Sequence, residues 1–510
     1  MGNMNLPLRL KELGDLLPDH QAIIYRGQRI SYKQLSNMVD KLVAGLLSMG
    51  VKAGDRIIIS LANCPEFVIS YYASLTMNAV VVPLNPDYTL GELRVIVNDC
   101  QPAVVITSAK GLSLFRQLED RQPHQRKLVV VDADEAIAGA IAFDDLINRN
   151  DAGNESFFYK EDETIELLYT SGTTGVPKGA MLTHKNLYSN ASTITQLMKT
   201  NEKDRVMLVA PAYHAAAQTA CMNHAVCAGA TLVIHKRWPG PKTVLKDFED
   251  QKITIFFGPP IFYTILCNYS QRADYDTGSL RICLSGASSL PEVIFNKFKE
   301  SFGVEITEGY GLSETSPVVS LTPPFGLKKI GSVGLPIPGV EVQIVDERKK
   351  ELAHGQVGEI VVKGPNVMKG YYNKETETRA VLRDGWFHTG DLGYKDEDGY
   401  IYIVDRKKDL IIRAGLNIYP REIEELLLTH PDVLDVAVIG VADSLHGEEI
   451  KAFIVTRTGE EIDVKELRNF CKGKIASYKI PKYFKFSKAL PKNAAGKTLK
   501  KVLRTIEEDD

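Results

Sequence analysis

The sequence predicts an α/β fold with a large N-terminal domain of parallel sheets flanked by helices, a small antiparallel β unit, and a small α+β domain at the C-terminus. Three observations lead there. At 510 residues the chain exceeds what one hydrophobic core usually supports, so at least two domains are expected. From about residue 20 to 320, short β-branched runs alternate with amphipathic stretches, the pattern of parallel strands joined by covering helices. Beyond about residue 330 the strands become punctuated by Gly and Pro, and the chain ends in a lysine-dense tail.

Taken in order, Lys33 to Ser48 repeats apolar residues at helical spacing. Arg56–Ser60, Ala79–Pro83, Ala103–Thr107 and Leu128–Asp132 are runs of Val and Ile that read as buried strands. Glu166–Tyr169 is a further strand, followed by Thr231–Ile234, Ile253–Phe257 and a helix over Pro291 to Phe302. Val340–Val345, Gly358–Lys363 and Tyr400–Val404 form the antiparallel unit. Asp405–Asp409 is a short charged stretch between apolar strands, a natural linker. After it come a helix over Pro420 to Thr429 and strands at Val433–Val441 and Lys451–Thr456. The expected division is therefore 1–404, a hinge at 405–410, and 411–510.

Composition narrows the class. Hydrophobic residues make up 44% and charged residues 25%, as in ordinary globular proteins. With 61 basic against 64 acidic side chains the net charge is close to zero, which argues against a dedicated nucleic-acid binder. Residues 1–14 lack the apolar core of a signal peptide, Gly2 is followed by Leu6 where a myristoylation signal needs Ser or Thr, and no run approaches the ~20 apolar residues of a membrane helix. A cytoplasmic location is the expectation; peripheral membrane contact and a homodimer are both compatible with it. The seven cysteines are scattered, odd in number and mostly in apolar contexts, so they read as reduced core residues.

Four segments carry chemistry. Tyr169-Thr-Ser-Gly-Thr-Thr-Gly-Val-Pro-Lys178-Gly179 follows a buried strand and concentrates hydroxyls, glycines and one lysine, so backbone N–H groups, hydroxyls and an ammonium can all meet a phosphate. Its spacing is not that of a Walker loop. Glu308-Gly-Tyr310-Gly311-Leu-Ser-Glu314 offers a flat ring between glycines, suited to stacking a purine, and a carboxylate suited to a hard divalent cation; alone it fits a core tyrosine beside a surface acid equally well. Trp386-Phe-His-Thr-Gly-Asp391 places an acid after a tight turn, where it could take ribose hydroxyls or be a plain turn aspartate. Pro491-Lys-Asn-Ala-Ala-Gly-Lys497 holds a lysine on a glycine-bearing loop, which by itself reads as solvated surface charge.

In this order and at these separations the segments resemble the adenylate-forming superfamily of acyl-CoA synthetases, adenylation enzymes and firefly-type luciferases. The resemblance covers nearly the whole chain. Text such as Lys363-Gly-Pro-Asn-Val-Met-Lys-Gly-Tyr-Tyr372 is most similar to bacterial long-chain fatty acid–CoA ligases. The resemblance implies a ligase that uses ATP, Mg²⁺ and coenzyme A. It implies that Thr170, Ser171, Gly172, Thr173, Thr174, Gly175 and Lys178 hold the phosphates, and that Tyr310 stacks on adenine beside Gly311 and the segment Gly286, Ala287, Ser288. Glu314 is the implied Mg²⁺ ligand, Asp391 and Arg406 the ribose partners, and Lys408 the hinge residue. Lys236, Ala414 and Gly415 fall where relatives contact coenzyme A, and Lys497 is the implied catalytic lysine of acyl-AMP formation. A lysine needed in one half-reaction and not in the next suits a mobile C-terminal domain. The span Lys472 to Lys501 contains no acid and reads mostly as a solvated basic face, with steering of ATP and coenzyme A phosphates as a secondary role.

The resemblance also places His214 at the gate of the acyl pocket, with Ala215, Ala216, Ala217 and Gly258 leaving room behind it. Amino-acid-activating relatives usually carry an aspartate just after the aromatic here, and none is present. Ser285–Ser289 contains no arginine for a second carboxylate. An apolar acid remains: a medium or long fatty acid first, a cinnamate- or benzoate-type acid second. An acyl-AMP ligase loading a carrier protein usually carries an insertion ahead of the hinge, which the interval from Asp391 to Arg406 lacks. A degenerate binder of nucleotide and acyl groups would not need both Glu314 and Lys497.

Overall fold

The computed structural model describes residues 5–119, 126–133, 137–149, 156–170, 177–443, 445–492 and 498–508. The chain divides into two compact units: residues 1–330, 334–341 and 362–387 form the first, and 331–333, 342–361 and 388–510 the second.

Two large sheets build the first unit. One has seven strands, among them Arg56–Ser60, Val80–Pro83, Val104–Ser108, Lys127–Val131 and Thr164–Thr170, paired in parallel, with Lys178–Thr183 added antiparallel at its edge. The other has nine strands and a parallel centre of Arg205–Leu208, Thr231–Ile234, Ile255–Gly258, Ile282–Ser285 and Ile306–Gly311. These strands are continuous Val, Ile and Phe runs because both of their faces are buried; Ile57, Ile58, Ile59, Val81 and Val82 are all fully enclosed. Helices cover them. Tyr32–Ser48 starts with a reciprocal cap in which Ser31 and Gln34 satisfy each other's backbone N–H groups, and it buries Leu35, Val39, Leu42 and Leu46 on one stripe. Expected and observed elements agree to within one or two residues at most ends.

In the second unit, Trp386–Lys395 and Ile401–Arg406 pair antiparallel in a five-stranded sheet that also contains Glu341–Val345 and Gly358–Lys363. A further sheet is built from Leu416–Ile418, Ile411–Arg413, Gly447–Thr456 and Val433–Asp443, with Tyr483–Phe486 parallel on Gly447–Thr456. Helices Pro420–Leu428 and Val464–Cys471 give its core Ile423, Leu427 and Leu467. Among the described residues no helix is long and apolar enough to cross a membrane.

Candidate active site

In the first unit the ends of the expected phosphate loop are pinned. Thr170 pairs directly opposite Lys178 across the antiparallel hairpin. Ser171, Gly172, Thr173, Thr174 and Gly175 lie outside the described residues. Behind the hairpin, Thr183 and Asn186 cap the helix His184–Leu197 reciprocally, and buried Asn186 also donates to the carbonyls of Pro365 (2.7 Å) and Val367 (3.0 Å). The segment that follows is laid down by main-chain hydrogen bonds: Met368 N to Glu314 O (2.8 Å), Lys369 N to Met181 O (2.9 Å) and Tyr372 N to Gly179 O (2.8 Å).

That arrangement seats Tyr371 between two expected site residues. Its hydroxyl donates to Glu314 Oε1 at 2.8 Å, and Lys178 Nζ stands 5.3 Å from its ring centroid. Burial and the neighbouring Glu314 carboxylate raise Tyr371, so it remains a neutral phenol and a donor at any physiological pH. Lys178 and Glu314, distant in sequence, thus meet at one ring. Tyr371 carries no motif of its own; only the pairing of 369–372 with the strand after the phosphate loop reveals it.

Tyr310 lies on Ile306–Gly311, half-buried and opposite Ser320. A Cβ at Gly311 would fall 1.8 Å from the Pro317 carbonyl oxygen, so no other residue fits there. Gly286 follows the neighbouring strand, where Ser285 pairs with Glu308, and a Cβ on it would lie 3.4 Å from Gly309 O. Ala287 is exposed with φ of 71°, a left-handed backbone that costs a non-glycine residue about 1–3 kcal/mol. The expected partners of a purine, Gly286–Ser288 and Tyr310, are therefore adjacent strand ends.

His214 caps a single helical turn, Ala215–Ala217, which runs into the π-helical turn Gln218–Asn223. Its Nε2 is enclosed and has no hydrogen-bond partner, unlike a core histidine with its bonds met. Burial lowers its pKa to about 4, so the ring is neutral at pH 7. Asn63, which no motif indicated, ties this segment in place: it accepts from Ala212 N (2.8 Å) and donates to Ala210 O and His235 O (3.0 Å each). Lys236, exposed, comes directly after that tie. Gly258 ends the strand Ile255–Gly258, and a Cβ on it would approach the Phe262 ring to 2.7 Å.

In the second unit, Asp391 does not follow a tight turn but sits inside the strand Trp386–Lys395, which bends at Gly390 (φ 70°). The registry sets Asp391 opposite Arg406, and Arg406 Nε reaches Asp391 Oδ1 at 3.1 Å. The charged stretch beyond is anchored at both ends. Asp405 Oδ2 accepts from Arg421 N at 2.9 Å, in the first turn of the helix Pro420–Leu428, and Asp409 pairs with Arg504 at 2.9 Å. Lys407 and Lys408 between them are exposed. Ala414 (φ 50°) and Gly415 (φ 80°) form the two-residue turn of the hairpin Ile411–Arg413 to Leu416–Ile418, held by Ala414 N donating to His446 O at 2.8 Å. Arg413, His446 and Glu449 form a buried-edge network under it. Four lysines of the tail have acidic partners: Lys479, Lys482, Lys492 and Lys500 pair with Glu422, Asp443, Asp435 and Glu424. Lys497 lies outside the described residues.

Residues 12–372 match the family model described as AMP-binding enzyme, and residues 422–497 match the AMP-binding enzyme C-terminal domain. The chain belongs to the AMP-binding enzyme family. It is an adenylate-forming acyl-CoA ligase that uses ATP, Mg²⁺ and coenzyme A. The long-chain-fatty-acid–CoA ligase of Bacillus subtilis is 39% identical over 99% of this chain and 96% of that one. The feruloyl-CoA synthase of an Amycolatopsis species is 36% identical over 96% of each. Among solved structures, ATP-bound MatB from Rhodopseudomonas palustris has a TM-score of 0.91 at 32% identity, covering 99% of both chains.

Proposed function

We propose that this AMP-binding enzyme activates a fatty acid: it joins the acid to ATP as acyl-AMP with release of pyrophosphate, then transfers the acyl group to coenzyme A. The convergence of Lys178 and Glu314 on Tyr371 supports the first step, and the neutral His214, whose Nε2 has no hydrogen-bond partner, with three small residues behind it supports an apolar acid. The carboxylate and the triphosphate are both anions, so the barrier to their meeting is chiefly electrostatic. Lys178 brings positive charge to the end of the phosphate loop, and Lys497 bridges the acyl carboxylate and an α-phosphate oxygen. Glu314, an oxygen ligand held by Tyr371, suits a hard divalent cation; Mg²⁺ held there would supply positive charge to offset that of the leaving pyrophosphate. Asp391 and Arg406 orient the ribose. The thiol of coenzyme A then attacks the acyl carbon and AMP leaves, with Lys236 and the Ala414-Gly415 turn contacting coenzyme A and Lys408 as the pivot of the 405–410 hinge.

The Bacillus fatty-acid ligase supports a fatty acid as substrate, and the feruloyl-CoA synthase supports the aryl acid as the second reading. Pyrophosphate release measured over saturated and hydroxycinnamic acids, with and without coenzyme A, separates them. Turnover with fatty acids is expected; turnover with aryl acids alone overturns the substrate, and with neither overturns the reading.

A further inference from the structure

Behind the segment 214–217 lies a group of polar side chains that the adenylation chemistry does not use. Glu166 on the strand Thr164–Thr170, Tyr71 and Tyr72 on the helix Pro65–Thr76, and Gln218 and Asn223 on the π-helical turn are all buried to 1% exposure or less. Tyr72 Oη donates to Asn223 Oδ1 (3.1 Å), Asn223 Nδ2 to Tyr71 Oη (3.4 Å), and Tyr71 Oη to Glu166 Oε2 (3.1 Å). The Gln218 carboxamide faces the same carboxyl and pulls on it, although Gln218 Nε2 and Glu166 Oε1 do not reach good hydrogen-bond geometry. Gln218 follows Ala217 directly and its N–H donates to His214 O at 3.0 Å, so the polar group begins one turn beyond the gate. Burying five polar side chains together is unfavourable unless they are paired, and an apolar core needs none of them.

We propose that Glu166 and Gln218 form a polar floor to the acyl pocket and set the longest acid that the enzyme activates efficiently. This rests on reading 214–217 as the pocket wall. An alkyl chain long enough to press on the floor would leave a buried carboxyl and carboxamide facing hydrocarbon, a penalty larger than the gain from one more buried methylene. Burial pushes Glu166 up to about 8, against the opposing pull of Gln218 and Tyr71, so at neutral pH the floor is uncharged. The titratable groups facing it are Tyr71 and, behind that, Tyr72; the π-helical turn presents uncharged Gln218 and Asn223 while its Cys221 points to Met207 O, and the paired strand neighbours Val81 and Leu182 are apolar.

The test is kcat/KM for saturated acids of increasing length in wild type, Gln218→Leu and Glu166→Gln. In Gln218→Leu the optimum moves to longer acids, the ratio of long to short rising about tenfold, while KM for ATP holds. An active Gln218→Leu enzyme with an unchanged length profile overturns the floor. Glu166→Gln keeps shape and neutrality and needs no repacking. As pH passes through about 8 the wild-type KM for the acid climbs while that of Glu166→Gln stays flat. Matching pH profiles remove Glu166 from the floor, and a wild type that activates no fatty acid at all sinks the substrate reading instead.

Discussion

At the scale of single residues, Tyr371 makes the sharpest test of the site. Tyr371→Phe keeps the ring under Lys178 and deletes the hydroxyl that holds Glu314. A hydrogen bond to a charged group is worth about 1.5–3 kcal/mol, so adenylation is expected to fall on the order of 10- to 100-fold, with a higher Mg²⁺ requirement and a nearly unchanged melting temperature. Loss of activity that Mg²⁺ does not partly restore would assign Tyr371 elsewhere. Buried titratable groups also give stability a pH signature. His184, His214 and His224 are each lowered from 6.5 to about 4, so between those values the unfolded chain binds protons that the folded chain does not, and stability falls as pH drops. Glu166 is raised from 4.5 to about 8 and works in the opposite sense: the folded chain keeps a proton that the unfolded chain has lost, and stability falls as pH rises toward 8. Thermal melting from pH 5 to 9 is expected to show a maximum near neutrality, and Glu166→Gln is expected to flatten the alkaline side; an identical alkaline fall in both proteins contradicts a buried, protonated Glu166.

At the scale of elements, the hairpin carrying Ala414-Gly415 shows how local chemistry sets a turn. Both central residues have positive φ, as the two-residue turn demands, and alanine tolerates this poorly. Ala414→Gly is expected to stabilise the chain slightly, and Gly415→Val to destabilise it by about 1–2 kcal/mol in denaturant melts. If the turn serves coenzyme A, Gly415→Val also slows thioester formation from supplied acyl-AMP while pyrophosphate exchange continues. Equal losses in both steps would make the turn merely structural. The strands were the most legible elements, since runs such as Arg56–Ser60 must be buried on both faces wherever they pack. The stretch 386–391 was misread because its Thr-Gly pair looks like a turn; the glycine instead bends a strand whose partner, Ile401–Arg406, cannot be known from local sequence.

At the scale of the whole molecule, the proposed two-step mechanism gives separate work to Lys497 and to Lys408. Lys497→Ala is expected to slow acyl-AMP formation on the order of 10² or more and to spare thioester formation from supplied acyl-AMP. Lys408→Pro fixes φ near roughly −65° and is expected to do the reverse, leaving adenylation largely intact while acyl-AMP accumulates on the enzyme. Asp405 accepts from Arg421 N, Asp409 pairs with Arg504 and Lys407 with Glu359, which leaves the exposed Lys408 between anchored neighbours. Normal acyl-CoA turnover by the proline variant would move the hinge elsewhere.

The sequence by itself determined the alternation of strands and helices, the glycine- and hydroxyl-rich stretch with its lysine, and the order of motifs that places the chain among adenylate-forming enzymes. Each of these is local: a periodicity, a glycine spacing, a charge at a fixed offset. Only the tertiary structure decided that Lys178 and Glu314 share Tyr371, that Asn63 ties the His214 segment to the strand before Lys236, and that four tail lysines are neutralised by acids on other elements. It also gathered Glu166, Gln218 and two tyrosines into one buried group. Those contacts join residues far apart along the chain, and whether a polar side chain is solvated, paired or buried depends on what the fold brings against it.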